Sequence, residues 1–391
     1  MTDTRPIVCF VGGPDVDARL DLMRLLSRDF DVSAAGTDAG LVASFTTAGF
    51  GYRHYRMSRR VNPALDAYTV WRLVRIFRAE RPTIVHTFDT KPGMWGRLAA
   101  RLAGVPIVVG TLPGLGSLYA NSDWKGKLTR LVYQPLQTVA CHWADLTVFQ
   151  NADDAREFER RGVVPRGRTA IIPGSGVRTD VFTPPRPDEA GPARRAELGL
   201  PGRGIVVVMI SRILRSKGVL ELAAAARAVR QAEPEVNFLL VGPADPDSLD
   251  ALTAEELRDL RGSVTWVGPR RDVKEILALA DIFVFPSFYR EGIPRVLVEA
   301  ASMALPLVAA EGPGSKDVVE DGVNGFLVPP KNPAAIADAV LRLVRAPELR
   351  ARFGERSRQR AVSQFDLSVV AERTRSLYQA LLQGKGVKGP T

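Results

Sequence analysis

Only two cysteines, Cys9 and Cys141, occur in the 391 residues. Neither sits in a CxxC or Cys/His ligand spacing, which argues against a disulfide framework and against structural zinc. Long hydrophobic runs are missing too. No stretch approaches the roughly 18 apolar residues of a spanning helix, and the early run IVCFVGG is too short for a signal peptide. A cytoplasmic protein is the expectation. The turn after that run reads GGPDVD and lacks the spaced glycines of GxGxxG, which disfavours a nicotinamide-dependent oxidoreductase. No Asp/His cluster has metal-ligand spacing, so neither a metal nor another cofactor is expected.

What is present is the composition of an ordinary globular protein, 46% hydrophobic and 25% charged. The length exceeds what one core usually supports, so two domains are expected. The net charge of +10 is uneven: residues 1–180 carry 24 basic against 17 acidic residues. Basic character concentrates in RHYRMSRR (Arg53 to Arg60), WRLVRIFRAER (Trp71 to Arg81) and the segment Trp124 to Arg130. A solvated face is the plain explanation. The functional alternative is attraction to anionic lipid or an anionic acceptor, with Trp71 and Trp124 as interfacial anchors. Nucleic acid is not expected, because no recognition motif accompanies the charge.

Short β-rich runs alternate with helical ones. In the first half the strand candidates are IVCFVGG, DFDVSAAG, GFGYRHYR, TIVHTFD, PIVVGTL and DLTVFQN; in the second they are GIVVVMI, VNFLLVG, SVTWVG, DIFVFPS, LPLVAA and GFLVP. Alternation of this kind predicts parallel sheets with helices on both faces and ligands at the carboxyl ends of the strands. The expected domains are 1–175 and 204–365. Between them the Pro- and Gly-rich stretch 176–203 reads as a linker. A helix is expected over 366–384 and a frayed tail over 385–391.

The most informative stretch is FPSFYREGIPRVLVEAASMALPLVAAEGPGSKDVV, residues 285–319. Pro294 suits the first turn of a helix, leaving Glu291 in the loop before it. Glu299 then lies roughly 7.5 Å along that helix, at about 1.5 Å per residue. Val296, Leu297, Val298, Ala300, Ala301, Met303 and Ala304 make the helix apolar on nearly every side, so a carboxylate there must be paired or must face a polar ligand. A structural ion pair with an arginine and a ligand contact both remain open for Glu299.

Three glycine-bearing loops follow predicted strands. Gly12 and Gly13 could bring backbone N–H groups toward a phosphate or sugar, or could simply form a tight turn. SRILRSKG offers Arg212, Arg215 and Lys217 before Gly218 and a helix, a set suited to clamp a diphosphate and stabilise its charge on leaving. The third loop is EGPGSKD, residues 311–317.

Taken in order, SRILRSKG, EGIPRVLVEAASMALPLVAA and EGPGSKDVVEDGVNGFLVPP resemble the retaining glycosyltransferases of family 4, which have the GT-B fold. RPTIVHTFDTKPGMWGRLAARLAGVPIVVGT and IIPGSGVRTDVFTP extend the resemblance over essentially the whole chain. It implies two doubly wound Rossmann-like α/β domains facing across a cleft, with the C-terminal helix crossing back to the first. It implies that Glu299 holds the ribose of a nucleotide-sugar donor, with UDP expected, and that Glu291 contacts the transferred sugar. Arg212 and Lys217 are implied on the diphosphate, Gly292 and Ile293 as backbone donors, and Gly12 and Gly13 along the cleft. Many relatives carry a His after the strand equivalent to PIVVGT; here the loop reads TLPGLGSLY, with Pro113 near that place. His86 and Asp89 are the candidates for acceptor contacts, although a His at a strand end is also a common structural group. The wording HTFDTKPG and REGIPRVLVEA is similar to bacterial enzymes that build surface polysaccharide or glycan on polyprenyl diphosphate. The expected protein is thus a metal-independent hexosyltransferase, cytoplasmic or peripheral on the inner membrane face. The rivals are a GT-B epimerase or hydrolase and a noncatalytic surface-binding protein.

Overall fold

The computed structural model of the chain describes residues 5–58, 62–114, 124–185 and 192–386, the side chains of 124–130, 132 and 192 excepted. It divides into two compact units, Met1–Gly176 with Leu367–Thr391, and Val177–Asp366.

The first unit alternates strand and helix: β1 (Ile7–Val11), α1 (Leu20–Leu26), β2 (Asp31–Gly36), α2 (Val42–Thr47), β3 (Gly51–His54), α3 (Pro63–Glu80), β4 (Ile84–Thr87), α4 (Lys91–Ala103), β5 (Ile107–Leu112), α5 (Trp124–Trp143), β6 (Leu146–Phe149), α6 (Ala152–Arg160) and β7 (Thr169–Ile171). The sheet is parallel, in the order β3-β2-β1-β4-β5-β6-β7. The order reverses between β1 and β4, a switch point at which the loops diverge and leave a crevice. Gly12–Gly13 and Asp89 follow those two strands. Local chemistry sets the helix starts: Asn62 Oδ1 accepts the Leu65 N–H at 3.1 Å before Pro63, and Asn151 accepts from Asp154 at 2.8 Å.

The second unit repeats the scheme with α7 (Pro192–Glu197), β8 (Val206–Ile210), α8 (Val219–Ala232), β9 (Asn237–Val241), α9 (Ala254–Ser263), β10 (Thr265–Trp266), α10 (Val273–Leu277), β11 (Ile282–Phe285), α11 (Arg295–Ser302), β12 (Leu307–Ala310), α12 (Pro313–Val318), β13 (Gly325–Val328), α13 (Pro333–Arg345) and α14 (Pro347–Arg360). Its parallel sheet runs β10-β9-β8-β11-β12-β13, with the switch point between β8 and β11. Helix α15 (Leu367–Gly384) then returns to the first unit. Its Leu367, Val370, Ala371, Tyr378 and Leu382 join the core formed by Phe10, Met23, Leu26 and Phe30.

The stretch expected as a linker is corrected. Among its described residues, Val177, Leu198 and Leu200 are buried in the core of the second unit beside Val206 and Phe283. Proline and glycine density reflects turns here, not a free tether; residues 186–191 lie outside the described part. The helix expected over 366–384 begins at Leu367, after a π turn at Ala361–Phe365 and Asp366, where the chain leaves the second unit. Arg59 and Arg60 of the basic stretch, the loop 115–123 after Pro113, and tail residues 387–391 also lie outside the described residues.

Candidate active site

The loop after β8 and the loop after β11 meet. Lys217 Nζ donates to Glu291 Oε1, and Ser287 Oγ donates to the same oxygen at 3.3 Å. Lys217 is only 8% exposed and its ammonium lies 4.8 Å from the centre of the Tyr289 ring. The contact depends on backbone geometry. Gly218 adopts φ +77°, and a Cβ there would stand 2.3 Å from the Pro286 carbonyl oxygen, so only glycine lets the two loops close on each other. The N–H groups of Phe288 and Tyr289 donate to the Ser216 carbonyl at 2.9 and 3.1 Å, which fixes the same junction.

Arg212 is directed elsewhere, to Asp245 at 3.0 Å, and is half-exposed, while Arg215 pairs with Glu256. The basic loop therefore contributes one enclosed cation, Lys217, and one exposed cation, Arg212, held by an exchangeable ion pair.

Pro294 serves as the N-cap of α11 instead of its first helical residue, and Glu299 sits four positions after Arg295. Glu299 is 8% exposed and accepts from Arg295 Nε at 2.9 Å. Burial pushes its carboxyl above the ordinary value, with Arg295 opposing. Arg295 is a partner the sequence offered, four residues back on the same helix face. A cavity of about 360 Å³ adjoins Glu291 and Gly292 and is bounded by Phe288, Tyr289, Gly312 and Lys331. Ile293 is buried at 7% exposure. Gly314 packs so tightly on the Gly292 carbonyl that a Cβ would lie 1.4 Å from it.

In the first unit Gly13 adjoins Asp89: a Cβ on Gly13 would stand 3.7 Å from the Asp89 carboxylate. Burial and the neighbouring Asp15 raise the Asp89 carboxyl above its usual value, opposed by Arg19. Asp15 and Arg19 were not singled out from the sequence; Arg19 lies 4.7 Å from the centre of the Phe88 ring. Asp89 itself has φ +66°. His86 is corrected as an acceptor contact. It is 2% exposed, with Nδ1 2.6 Å from Tyr378 Oη and Nε2 2.7 Å from Thr111 Oγ1, so both ring nitrogens are used inside the core. Among the described residues no group of three or more His, Cys, Asp or Glu is placed to hold a metal, and no helix is long and apolar enough to cross a membrane.

Two doubly wound parallel sheets, each with a glycine-bearing loop at its switch point, make the architecture of the GT-B glycosyltransferases. Residues 12–175 match the family described as "Glycosyl transferase 4-like domain" and residues 192–360 that described as "Glycosyl transferases group 1". The chain belongs to this glycosyltransferase family. It is 31% identical over 355 residues to an alpha-maltose-1-phosphate synthase of Mycobacterium tuberculosis, covering 84% of this chain and 87% of that one. It is 28% identical to the UDP-Gal:alpha-D-GlcNAc-diphosphoundecaprenol alpha-1,3-galactosyltransferase of Escherichia coli, covering 84% and 83%. Among solved structures, Anabaena HepE in complex with UDP superposes with a TM-score of 0.76 at 20% identity, covering 96% of this chain and 100% of that one.

Proposed function

We propose that the protein transfers a sugar, with retention of anomeric configuration, from a UDP-sugar to a polyprenyl-diphosphate-linked or polysaccharide acceptor. The observation that carries this is the Lys217–Glu291 pair at the β8/β11 switch point, with Glu299 on the adjoining helix. Lys217 and Arg212 take up the charge of the departing diphosphate, which substitutes for a metal ion. Glu291 binds hydroxyls of the transferred sugar, and Glu299 exchanges its partly exposed partner Arg295 for the ribose diol. The bond from the anomeric carbon to phosphate breaks as the acceptor oxygen bonds to that carbon, and the acceptor proton passes to the released phosphate. Gly12 and Gly13 serve the donor, and Asp89 the acceptor. The lipid-linked acceptor is supported by the relatives from Escherichia coli and from Campylobacter jejuni, whose names specify diphosphoundecaprenol substrates. UDP as the nucleotide is supported by the first of these names.

Because Lys217 and Glu291 are each other's partners, removing either leaves an uncompensated, largely buried charge. Glu291→Gln and Lys217→Met are therefore the informative variants. Each is expected to lower kcat at least about tenfold, a loss of roughly 1.4 kcal/mol of transition-state stabilisation, in an assay that separates transfer from donor hydrolysis. Glu299→Gln is expected chiefly to weaken UDP binding by calorimetry, and EDTA to leave turnover unchanged. Normal transfer by both variants would sink the mechanism; release of free sugar without any acceptor product would replace it with a hydrolase.

A further inference from the structure

A second cavity, of about 570 Å³, lies in the second unit at the amino-terminal rim of its sheet, where Asn237 and Phe238 open β9 and Trp266 ends the edge strand β10. The donor-site loops follow the carboxyl ends of β8 and β11, so this cavity is a separate place. Two arginines line it, Arg230 from the last turn of α8 and Arg261 from the last turn of α9. Neither has an ion pair among the described residues. The carboxylates nearest in sequence are already engaged: Glu233 with Arg345, Glu235 with Arg203, and Asp259 with Arg227.

The Nε of Arg230 is enclosed without a hydrogen-bond partner. A helix C-terminus favours a cation in its last turn, but an exposed cation satisfies that preference as well. Enclosing a guanidinium nitrogen with no acceptor costs free energy and needs another reason. Burial accordingly pulls the Arg230 guanidinium below its ordinary value. Arg261 is preorganised: its guanidinium carbon lies 5.1 Å from the centre of the Trp266 ring, and Trp266 Nε1 is fixed on the Gly242 carbonyl at 2.9 Å. A planar fork stacked on an aromatic face keeps its donors free for an oxyanion.

We propose that this cavity binds a phosphate group, free or borne on a small phosphomonoester, between Arg230 and Arg261. The ligand occupies a site remote from the donor loops, so it can be bound together with the nucleotide. Lipid headgroups carry the same chemistry, and vesicles serve as the arm that tells the two sources apart. The test is calorimetric titration of inorganic phosphate into the UDP-saturated protein, so that the donor site is already filled. Saturable binding by the wild type that weakens at least about tenfold in Arg261→Gln and in the Arg230→Gln/Arg261→Gln pair, with UDP affinity unchanged, is the expected result. Arg261, at the rim, keeps the test readable if the double variant folds poorly. Equal phosphate affinity in wild type and variants overturns the proposal. So does the absence of saturable binding, and so does arginine-dependent sedimentation with phosphatidic acid vesicles without any response to free phosphate. Failure of UDP itself to bind would strike the donor reading and leave the phosphate result legible.

Discussion

Burial among apolar and aromatic neighbours holds the imidazole of His86 neutral, pulling it down to about 3, with Arg19 and Arg97 adding to the effect. In an unfolded chain the same group titrates near its ordinary value of about 6.5. Between these limits the unfolded state binds a proton that the folded state refuses, so stability falls as the pH falls through that window. The slope approaches about 1.4 kcal/mol per pH unit for one proton. A urea-midpoint series from pH 7 to 5 is expected to show this acid limb, and His86→Gln is expected to flatten it. An unchanged slope in the variant would assign acid sensitivity to other groups. The surroundings that create this effect, Tyr378 and Thr111, are 292 and 25 residues away in sequence, which is why a strand-end His could be read from the sequence as either structural or functional.

Helices and strands were largely legible, because hydrophobic period and capping chemistry are local. Asn332 accepts the Ala335 N–H before Pro333, as Asn62 accepts the Leu65 N–H before Pro63. The shortest elements carry the least local signal: β7, absent from the strand candidates, has three residues, and α2, α7 and α12 have six each, too few for a period to show. The pairing of Lys217 with Glu291 was not legible, because it depends on two loops 74 residues apart meeting where Gly218 permits it. Gly218→Ala tests that junction. Strain at φ +77° together with the approach to the Pro286 carbonyl is expected to cost about 1–3 kcal/mol, read as a lower denaturant midpoint, and to lower transfer by displacing Lys217. An alanine variant as stable and active as the wild type would show that the loops close without this constraint.

At the scale of the whole molecule, the excess of basic over acidic residues in the first half accompanies exposed aromatic surface. Tyr68 and Trp71 are 43% and 50% exposed on α3, their ring centres 5.7 Å apart, with the Arg75 guanidinium 5.0 Å from the Trp71 ring centre. The side chain of Trp124, the other expected anchor, lies outside the described residues. Amphipathic rings beside arginine suit an anionic lipid interface. Wild-type protein is expected to sediment with phosphatidylglycerol vesicles more than with phosphatidylcholine vesicles, and Trp71→Glu with Arg75→Glu to reduce the difference several-fold; equal sedimentation would place the charge in plain solvation.

The return of α15 to the first unit has a consequence for synthesis. A ribosome completes the first unit up to Gly176 and then the entire second unit before it makes Leu367–Gly384, the helix that covers Met23, Leu26 and Phe30. The nascent first half must wait, with part of its apolar surface uncovered, for about half the chain to be translated. At roughly 5–20 residues per second, that interval lasts on the order of ten seconds or more, long enough for a chaperone to occupy the place that Tyr378 will take.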